Sequence, residues 1–286
     1  MKSIIYFLLV VLFTVAPASA LPLIQTGTKT IIIKPATTIT SSAVIGKSAV
    51  IISARLKVFG IANPVVTPLA DKGQIKIQVP DKYTISDIEG LLTLRGEFAF
   101  YETFNSKELH ELLKGDDKLF GLINSDPGIS PSTAKIGCIT LENISSVNAY
   151  IKSLKKQDIF QLDWGFVSYN PDEKLRCIYA IKTIPILNRS DIELVKSEKA
   201  KDGKSYNIMV TFTKAGAGKF SDATSKNINR VIAITMDNYV YSAPLVRAQI
   251  SGGLCEISGD NSEKDANYFL ALVNNDTLPV SFEIMK

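Results

Sequence analysis

The chain has 286 residues, 46% of them hydrophobic and 21% charged, and carries a formal net charge of +4 at pH 7. That length and apolar content allow one or two domains with a real core, and so small a charge, mixed in sign throughout, excludes an electrostatic interface for nucleic acid or an anionic surface. With one histidine and no CxxC pair, a metal centre built from histidine and cysteine is excluded as well.

Residues 1–20 read as a signal peptide. Lys2 gives a short positive region, Ile4 to Val15 is apolar, and Ala18-Ser19-Ala20 is a small-residue cleavage site, so cleavage is expected before Leu21. An uncleaved anchor is the alternative, but the apolar run is shorter than the ~20 residues a spanning helix needs. No cysteine stands near the site, which argues against a lipid anchor. The mature chain is expected to be exported to the periplasm and to be soluble or peripheral to the inner membrane. Val44 to Ile52 is no membrane span, because Gly46, Lys47 and Ser48 interrupt it.

Thr37 to Phe59 ends in a helical pattern with Val50, Ala54 and Val58 on the packed face and Arg55 and Lys57 off it; Gly60 stops it. An extended run from Ile61 to Val66 follows. Asp71-Lys72-Gly73 turns into Gln74 to Val79, which alternates polar and apolar as a half-buried strand does. Thr84 or Ser86 caps a helix carrying Ile88, Leu91 and Leu92, and Phe98 to Tyr101 is a further strand.

In the middle of the chain, Lys107 to Leu113 reads as a short helix and Leu119 to Ser132 as a loop. Leu141 to Lys156 is an amphipathic helix with Ile144, Val147, Ile151 and Leu154 on one side. Phe160 to Tyr169 and Lys174 to Thr183 are strands around the turn Asn170-Pro171-Asp172-Glu173. Tyr206 to Phe212 alternates as a strand, and the next helix carries Phe220, Thr224 and Ile228. Val231 to Met236 and Tyr239 to Ala243 form a hairpin across Asp237-Asn238. Ser262 caps the last helix, with Ala266, Phe269, Leu270 and Val273 on its apolar face, and Leu278 to Ile284 is the closing strand. Helices covering one face of an antiparallel sheet make an α+β architecture.

The C-terminal run just described carries a resemblance. Asp237-Asn238, Tyr241-Ser242-Ala243-Pro244, Ile250-Ser251-Gly252-Gly253 and Leu278-Pro279-Val280, in that order, are similar to the end of the large periplasmic domain of SecD, a membrane component of the bacterial secretion machinery. The pattern of helix, Gly60-Ile61-Ala62-Asn63-Pro64-Val65-Val66, hairpin, Ile77-Gln78-Val79-Pro80, helix and strand resembles the opening of the same domain. Where the family commonly has Asn-Arg-Val-Asp on its helix, this chain has Ser53-Ala54-Arg55-Leu56. The likeness spans about residues 45–104 and 205–284. It implies a free-standing exported chain without the membrane part, with a ferredoxin-like antiparallel sheet and helices on one face. The implied organisation is a discontinuous base of residues 21–104 and 205–286 and an inserted α+β head of residues 105–204.

Chemistry is sparse. His110, in a charged helix, lacks the partners a general base needs. Gly46-Lys47-Ser48 and Gly203-Lys204-Ser205 resemble the end of a phosphate-binding loop, but Ser41 and Glu198 stand where its first glycine belongs. Ala215 to Lys219 reads as a helix entry whose small residues permit close packing. Cys138, Cys177 and Cys255 all lie in strand-like surroundings, where buried free thiols are favoured over a disulfide. No catalytic residue, cofactor, metal or small-molecule substrate is expected.

What is left is a surface for polypeptide. Tyr239, Tyr241, Pro244 and Val246 lie at or after the hairpin, followed by Ile250, Gly252 and Gly253; Phe160, Trp164 and Phe166 alternate along a strand of the head. These residues serve either the fold itself or an apolar, aromatic-rimmed patch for extended chains. The resemblance implies unfolded or translocating polypeptide and Sec translocon membrane subunits as partners. A structural or adaptor role in the envelope is the alternative, and a monomer is expected.

Overall fold

The computed structural model describes residues 27–37, 41–114, 118–123, 133–154, 158–165 and 175–285. The expected signal peptide, the turn at Asn170 to Glu173, and Phe166 lie outside them. From the N-terminus come β1 (Thr28–Pro35), α1 (Ser42–Val58), β2 (Val65–Leu69), β3 (Gln74–Pro80), α2 (Ile85–Thr93) and β4 (Phe98–Phe104). Next are α3 (Ser106–Leu113), α4 (Lys118–Leu122), β5 (Lys135–Thr140), α5 (Ile144–Ser153), β6 (Phe160–Gly165) and β7 (Leu175–Lys182). The last part holds β8 (Leu187–Asn188), β9 (Ile192–Lys199), β10 (Tyr206–Phe212), α6 (Lys214–Lys226), β11 (Ile232–Met236), β12 (Tyr239–Ser242), β13 (Leu254–Ile257), α7 (Glu263–Val273) and β14 (Phe282–Ile284).

Local chemistry explains most of these boundaries. Thr84, Asn105 and Ser262 each accept a hydrogen bond from the backbone three residues on, and Asp87, Glu108 and Asp265 return it, three complete capping boxes. Asp237 and Asn238 both take positive φ, 48° and 66°, the backbone that a two-residue hairpin requires. The strands β1, β8 and β9 fall where no strand was expected. In β9, Ile192-Glu193-Leu194-Val195-Lys196-Ser197-Glu198-Lys199 is rich in charge, and it is strand because β10 pairs along its length.

Instead of one antiparallel sheet there are three. The first has the order β14-β1-β3-β2 and the second β13-β10-β9. In the third, β4 pairs with β11, β11 with β12, β12 in parallel with β6, β6 with β7, and β7 again with β4. These five strands therefore close into a small ring, with β5 and β8 attached outside it. Strand alternation sorts their side chains. Tyr101, Tyr179, Ile181, Ala233 and Val240 cluster on one side, the interior. On the other side, Phe98, Phe100, Ile232 and Ile234 enter a main core shared with α1, α2, α6 and α7, whereas Phe160, Leu162, Ile178 and Ala180 enter a second core under α3, α4 and α5. Residues 109–180 thus have an apolar cluster of their own, but Leu187, Ile192 and Val195 of the expected head enter the main core, and the pairings β4–β7 and β9–β10 link the expected head to the expected base.

Two sequence expectations are corrected here. Cys138 and Cys177 stand directly opposite each other on β5 and β7 and form a disulfide, and only Cys255 is free and buried. Strand register, which a separation of 39 residues does not reveal, brings the pair together. The second correction concerns α1. Val50 is 71% exposed and Val58 41%, while the face that packs is Ile45, Ala49, Ile52 and Leu56, with Arg55 fully buried among them.

Arg55 is buried because it has a polar target. Its Nη1 donates to the carbonyl of Leu94 at 2.6 Å and of Leu91 at 3.4 Å, and Nη2 to those of Arg95 at 2.5 Å and Asp276 at 3.4 Å. These carbonyls lie at the end of α2 and in the connections beyond α2 and α7, and of them that of Arg95 also accepts from Leu278 N–H at 2.8 Å. Gly96 has φ +82°, and a side chain there would meet the guanidinium at 2.5 Å. Burial draws the Arg55 pKa down to about 10, opposed by the nearby charge of Asp237, so it stays a cation at neutral pH. Arg55→Met should cost about 3 kcal/mol or more, because at least two carbonyls lose their donor inside the protein. Urea denaturation checks this, and a loss within about 0.5 kcal/mol would show that the clamp contributes little.

Candidate functional site

The segment after β12 is strapped over α6. Pro244 and Val246 keep the chain beside β11: Ile232 N–H donates to the Pro244 carbonyl at 3.2 Å and Val246 N–H to that of Arg230 at 2.8 Å. The chain then crosses the helix. Gln249 Nε2 donates to Ser221 Oγ at 2.8 Å, and Ile250 N–H to Thr224 Oγ1 at 3.0 Å. Thr224 is buried and donates its own proton to the Phe220 carbonyl, so its lone pairs are left for the strap. At the other end of α6, Gly216 is packed so closely on the loop at Asp191 that a Cβ would lie 2.2 Å from its carbonyl oxygen, which bears out the close-packing reading of Ala215 to Lys219.

Between strap, helix and β13 lies a groove of about 380 Å³. Phe100, Phe220, Ile232 and Ile234 form its floor; Pro244, Val246 and Ile250 form one wall, with Cys255 and Glu256 opposite. Charge is confined to Arg247 and Glu256, both exposed. Burial pushes the Cys255 thiol up to about 12, so it stays protonated and behaves as a small apolar group. The lining holds neither a nucleophile beside a base nor a set of cation ligands. What it can do is take apolar side chains out of water.

Pro244 and Ile250 of the expected patch are in this groove, and Gly252 and Gly253 lead from it into β13. Gly253, at φ +68° and with Ala217 3.2 Å from where a Cβ would sit, is the position that needs glycine. Tyr241 turns away: its ring packs 4.5 Å from that of Phe269 and its hydroxyl donates to Asn261 Oδ1 at 3.1 Å. Tyr239 is half-buried, opposite Trp164 in the β12–β6 pairing. Phe160 is buried in the second core, and Trp164 packs against that core while its Nε1 donates to Asn148 Oδ1 at 2.9 Å. The groove floor was missed in the sequence. Its residues come from β4, α6 and β11, and each reads simply as a core position of its own element. The two runs rejected as phosphate loops have other places: Gly46-Lys47-Ser48 is inside α1, and Gly203 to Ser205 is a turn in which the Lys204 and Ser205 N–H groups donate to Asp202. His110 lies exposed on α3, 5.7 Å from the Phe120 ring.

A mixed α/β protein with an apolar-lined groove is the class this geometry defines, and comparison with known proteins shows what it is similar to. The family model for the SecDF P1 head subdomain matches residues 167–280. Protein translocase subunit SecD of Acidaminococcus fermentans is 37% identical over 94 residues, 32% of this chain and 22% of that one. SecDF of Thermus thermophilus is 32% identical over 100 residues (35% and 14%), and SecDF of Brucella abortus 23% over 239 residues (84% and 26%). The chain thus spans 14–26% of the length of these curated relatives. A solved structure of SecDF, a membrane component that enhances protein export, matches with a TM-score of 0.51 at 19% identity, over 90% of this chain and 98% of that one. SecDF in its super-membrane-facing form matches with a TM-score of 0.52 at 18% identity, over 91% and 30%. The chain is thus similar to the periplasmic part of SecD and SecDF proteins. Among the described residues, no helix is long and apolar enough to cross a membrane.

The ring holds a buried carboxyl on β6. Asp163 is 7% exposed and lies on the face of β6 opposite Phe160 and Leu162, hence inside the ring, where it stands opposite Tyr179 and its charge adds to the burial that raises the Tyr101 pKa. Its hydrogen bond is from Gln161 Nε2 at 3.3 Å. Burial raises its pKa to about 7, against the small opposing effect of Gln161. A carboxyl raised in the folded state contributes stability that is complete below its unfolded pKa and is lost as pH rises through the folded value. Stability should therefore fall by about 3 kcal/mol between roughly pH 4 and pH 8 on this account. In Asp163→Asn that part of the pH dependence should vanish. Denaturation curves of the two proteins across this range check it, and parallel pH profiles would refute it.

Proposed function

We propose that this chain is an exported, non-enzymatic envelope protein that assists protein export by holding apolar stretches of unfolded or translocating polypeptide. The observation that carries this reading is the open groove beneath the 244–250 strap. An apolar floor beneath a strap held by hydrogen bonds from Gln249 Nε2 to Ser221 Oγ and from Ile250 N–H to Thr224 Oγ1 is suited to accept side chains. Around it Leu245, Ile250 and Leu254 are exposed, so the apolar surface extends past the groove. The relatives are translocase subunits, which supports Sec translocon membrane subunits as the second partner. Under this reading the base and head are the discontinuous units 21–104 with 205–286 and 105–204, joined where Arg230 pairs with Glu108 at 2.8 Å and Lys182 with Glu102.

The test is photo-crosslinking in cells, with probes at Leu245 and Ile250 and a control probe at Val50 on the far-exposed face of α1. Many exported chains or translocon subunits are expected at the first two positions and few at Val50. Ile250→Glu should cut the Leu245 yield roughly five-fold or more, since a carboxylate at the wall opposes apolar burial. A single unrelated envelope partner would make the protein an adaptor instead. No crosslinks from a folded protein would end the polypeptide-binding reading.

A further inference from the structure

The groove and the edge of β13 are one feature. In the second sheet β13 is a terminal strand, paired with β10 on one side through Leu254, Cys255, Glu256 and Ile257 and with no strand on the other among the described residues. Successive residues of a strand point to opposite faces, and here Cys255 is buried while Glu256 is exposed. A groove lined by both must abut the strand from its side, where the unpaired main-chain N–H and C=O groups lie. The Glu256 side chain does not block this edge, because it is drawn back over β10 by Asn207 Nδ2 at 2.5 Å.

Building on the polypeptide-binding reading, we propose that the groove takes an extended segment as an added strand on the free edge of β13. Alternate apolar side chains of the segment enter the groove between Ile250 and Phe220, and the residues between them face outward, where the Glu256 carboxylate favours a basic partner. Main-chain pairing supplies affinity without regard to sequence, and the groove supplies a requirement for alternate apolar residues. The edge distinguishes this occupant from a lipid or other apolar small molecule, which has no row of donors and acceptors at strand spacing. It also disfavours a second copy of the chain: antiparallel pairing of two β13 edges would bring Glu256 close to its own counterpart, a like-charge contact.

A short alternating valine–lysine peptide is the probe, with two variants N-methylated at alternate residues so that each blocks one edge of the extended peptide. Fluorescence anisotropy with the full mature chain measures binding, and sedimentation follows its association state. The expected result is asymmetric: one variant loses roughly ten-fold or more in affinity and the other stays within about two-fold of the parent. Equal binding by all three, or equal loss in both variants, overturns strand addition and leaves the groove as a side-chain site. Absence of binding by the parent peptide, with Ile250→Glu no different, overturns the polypeptide-binding reading itself. Concentration-dependent dimerisation that the peptide does not reverse assigns the edge to a second copy and overturns the proposal.

Discussion

The Arg55 guanidinium sits where four separate stretches of chain meet, and most of the architecture follows from what it holds. It reaches from α1 to the C-terminal carbonyls of α2, to the connection into β4, and to the carbonyl of Asp276 beyond α7. Asp237, in the β11–β12 turn, closes the circuit by accepting from the Gly96 and Glu97 amides at 2.7 and 2.9 Å. Burial keeps that carboxyl above its usual range despite those two bonds, and the Arg55 charge works against the burial. The N-terminal and C-terminal parts of the chain, 140 to 221 residues apart, are thus stitched through backbone polar groups buried in the interior. Arg95 extends the same seam: its backbone and that of Leu278 are hydrogen-bonded, and its Nε donates to the Leu278 carbonyl at 3.1 Å.

Fixing the β11–β12 turn in this way also fixes the ring. With β11 held against β4, the pairs β12–β6 and β7–β4 complete it, and each of these two seams has only two residue pairs. The longer ladders β4–β11 and β6–β7 carry the two cores on their outer faces, so the ring is the element through which the cores are joined. The disulfide between Cys138 and Cys177 fastens β5 to the outside of that ring. By the loop-entropy account, closing a loop of this length favours the folded chain by about 3–4 kcal/mol.

The sequence made local features legible and non-local ones opaque. The capped starts at Thr84 and Ser262, the Asp237-Asn238 hairpin and the strict alternation of Gln74 to Val79 are all written in adjacent residues, and all are present. The likeness of residues 231–284 to SecD was readable for the same reason. Arg55 was placed on the wrong side of α1 because hydropathy ranks valine above arginine, and the buried carbonyls that reverse that order come from residues 91–95 and 276. The cysteine pair and the ring closure depend on strand register between distant segments, for which one sequence holds no signal. So does the site: Pro244 and Ile250 were found because they belong to a run with its own signature, whereas Phe100, Phe220 and Ile232 looked like any other buried residues.

The groove lies where the second and third sheets, both packed on the main core, are left without a strand between them among the described residues. Phe100 and Phe220 touch at 5.7 Å, and Phe212 stacks against both, so aromatic packing between β4, β10 and α6 is continuous beneath the floor. Above it β13 belongs to the second sheet and β11 to the third, and no strand bridges them among the described residues. The strap of residues 244–250 spans the gap without filling it, because its hydrogen bonds go to β11, to the residues just before it and to α6 rather than to β13. A sheet edge and an apolar floor left side by side would be a liability in a protein with nothing to bind. Under the proposed reading, the same arrangement would offer an unfolded polypeptide both things it lacks, partners for its backbone and cover for its apolar side chains.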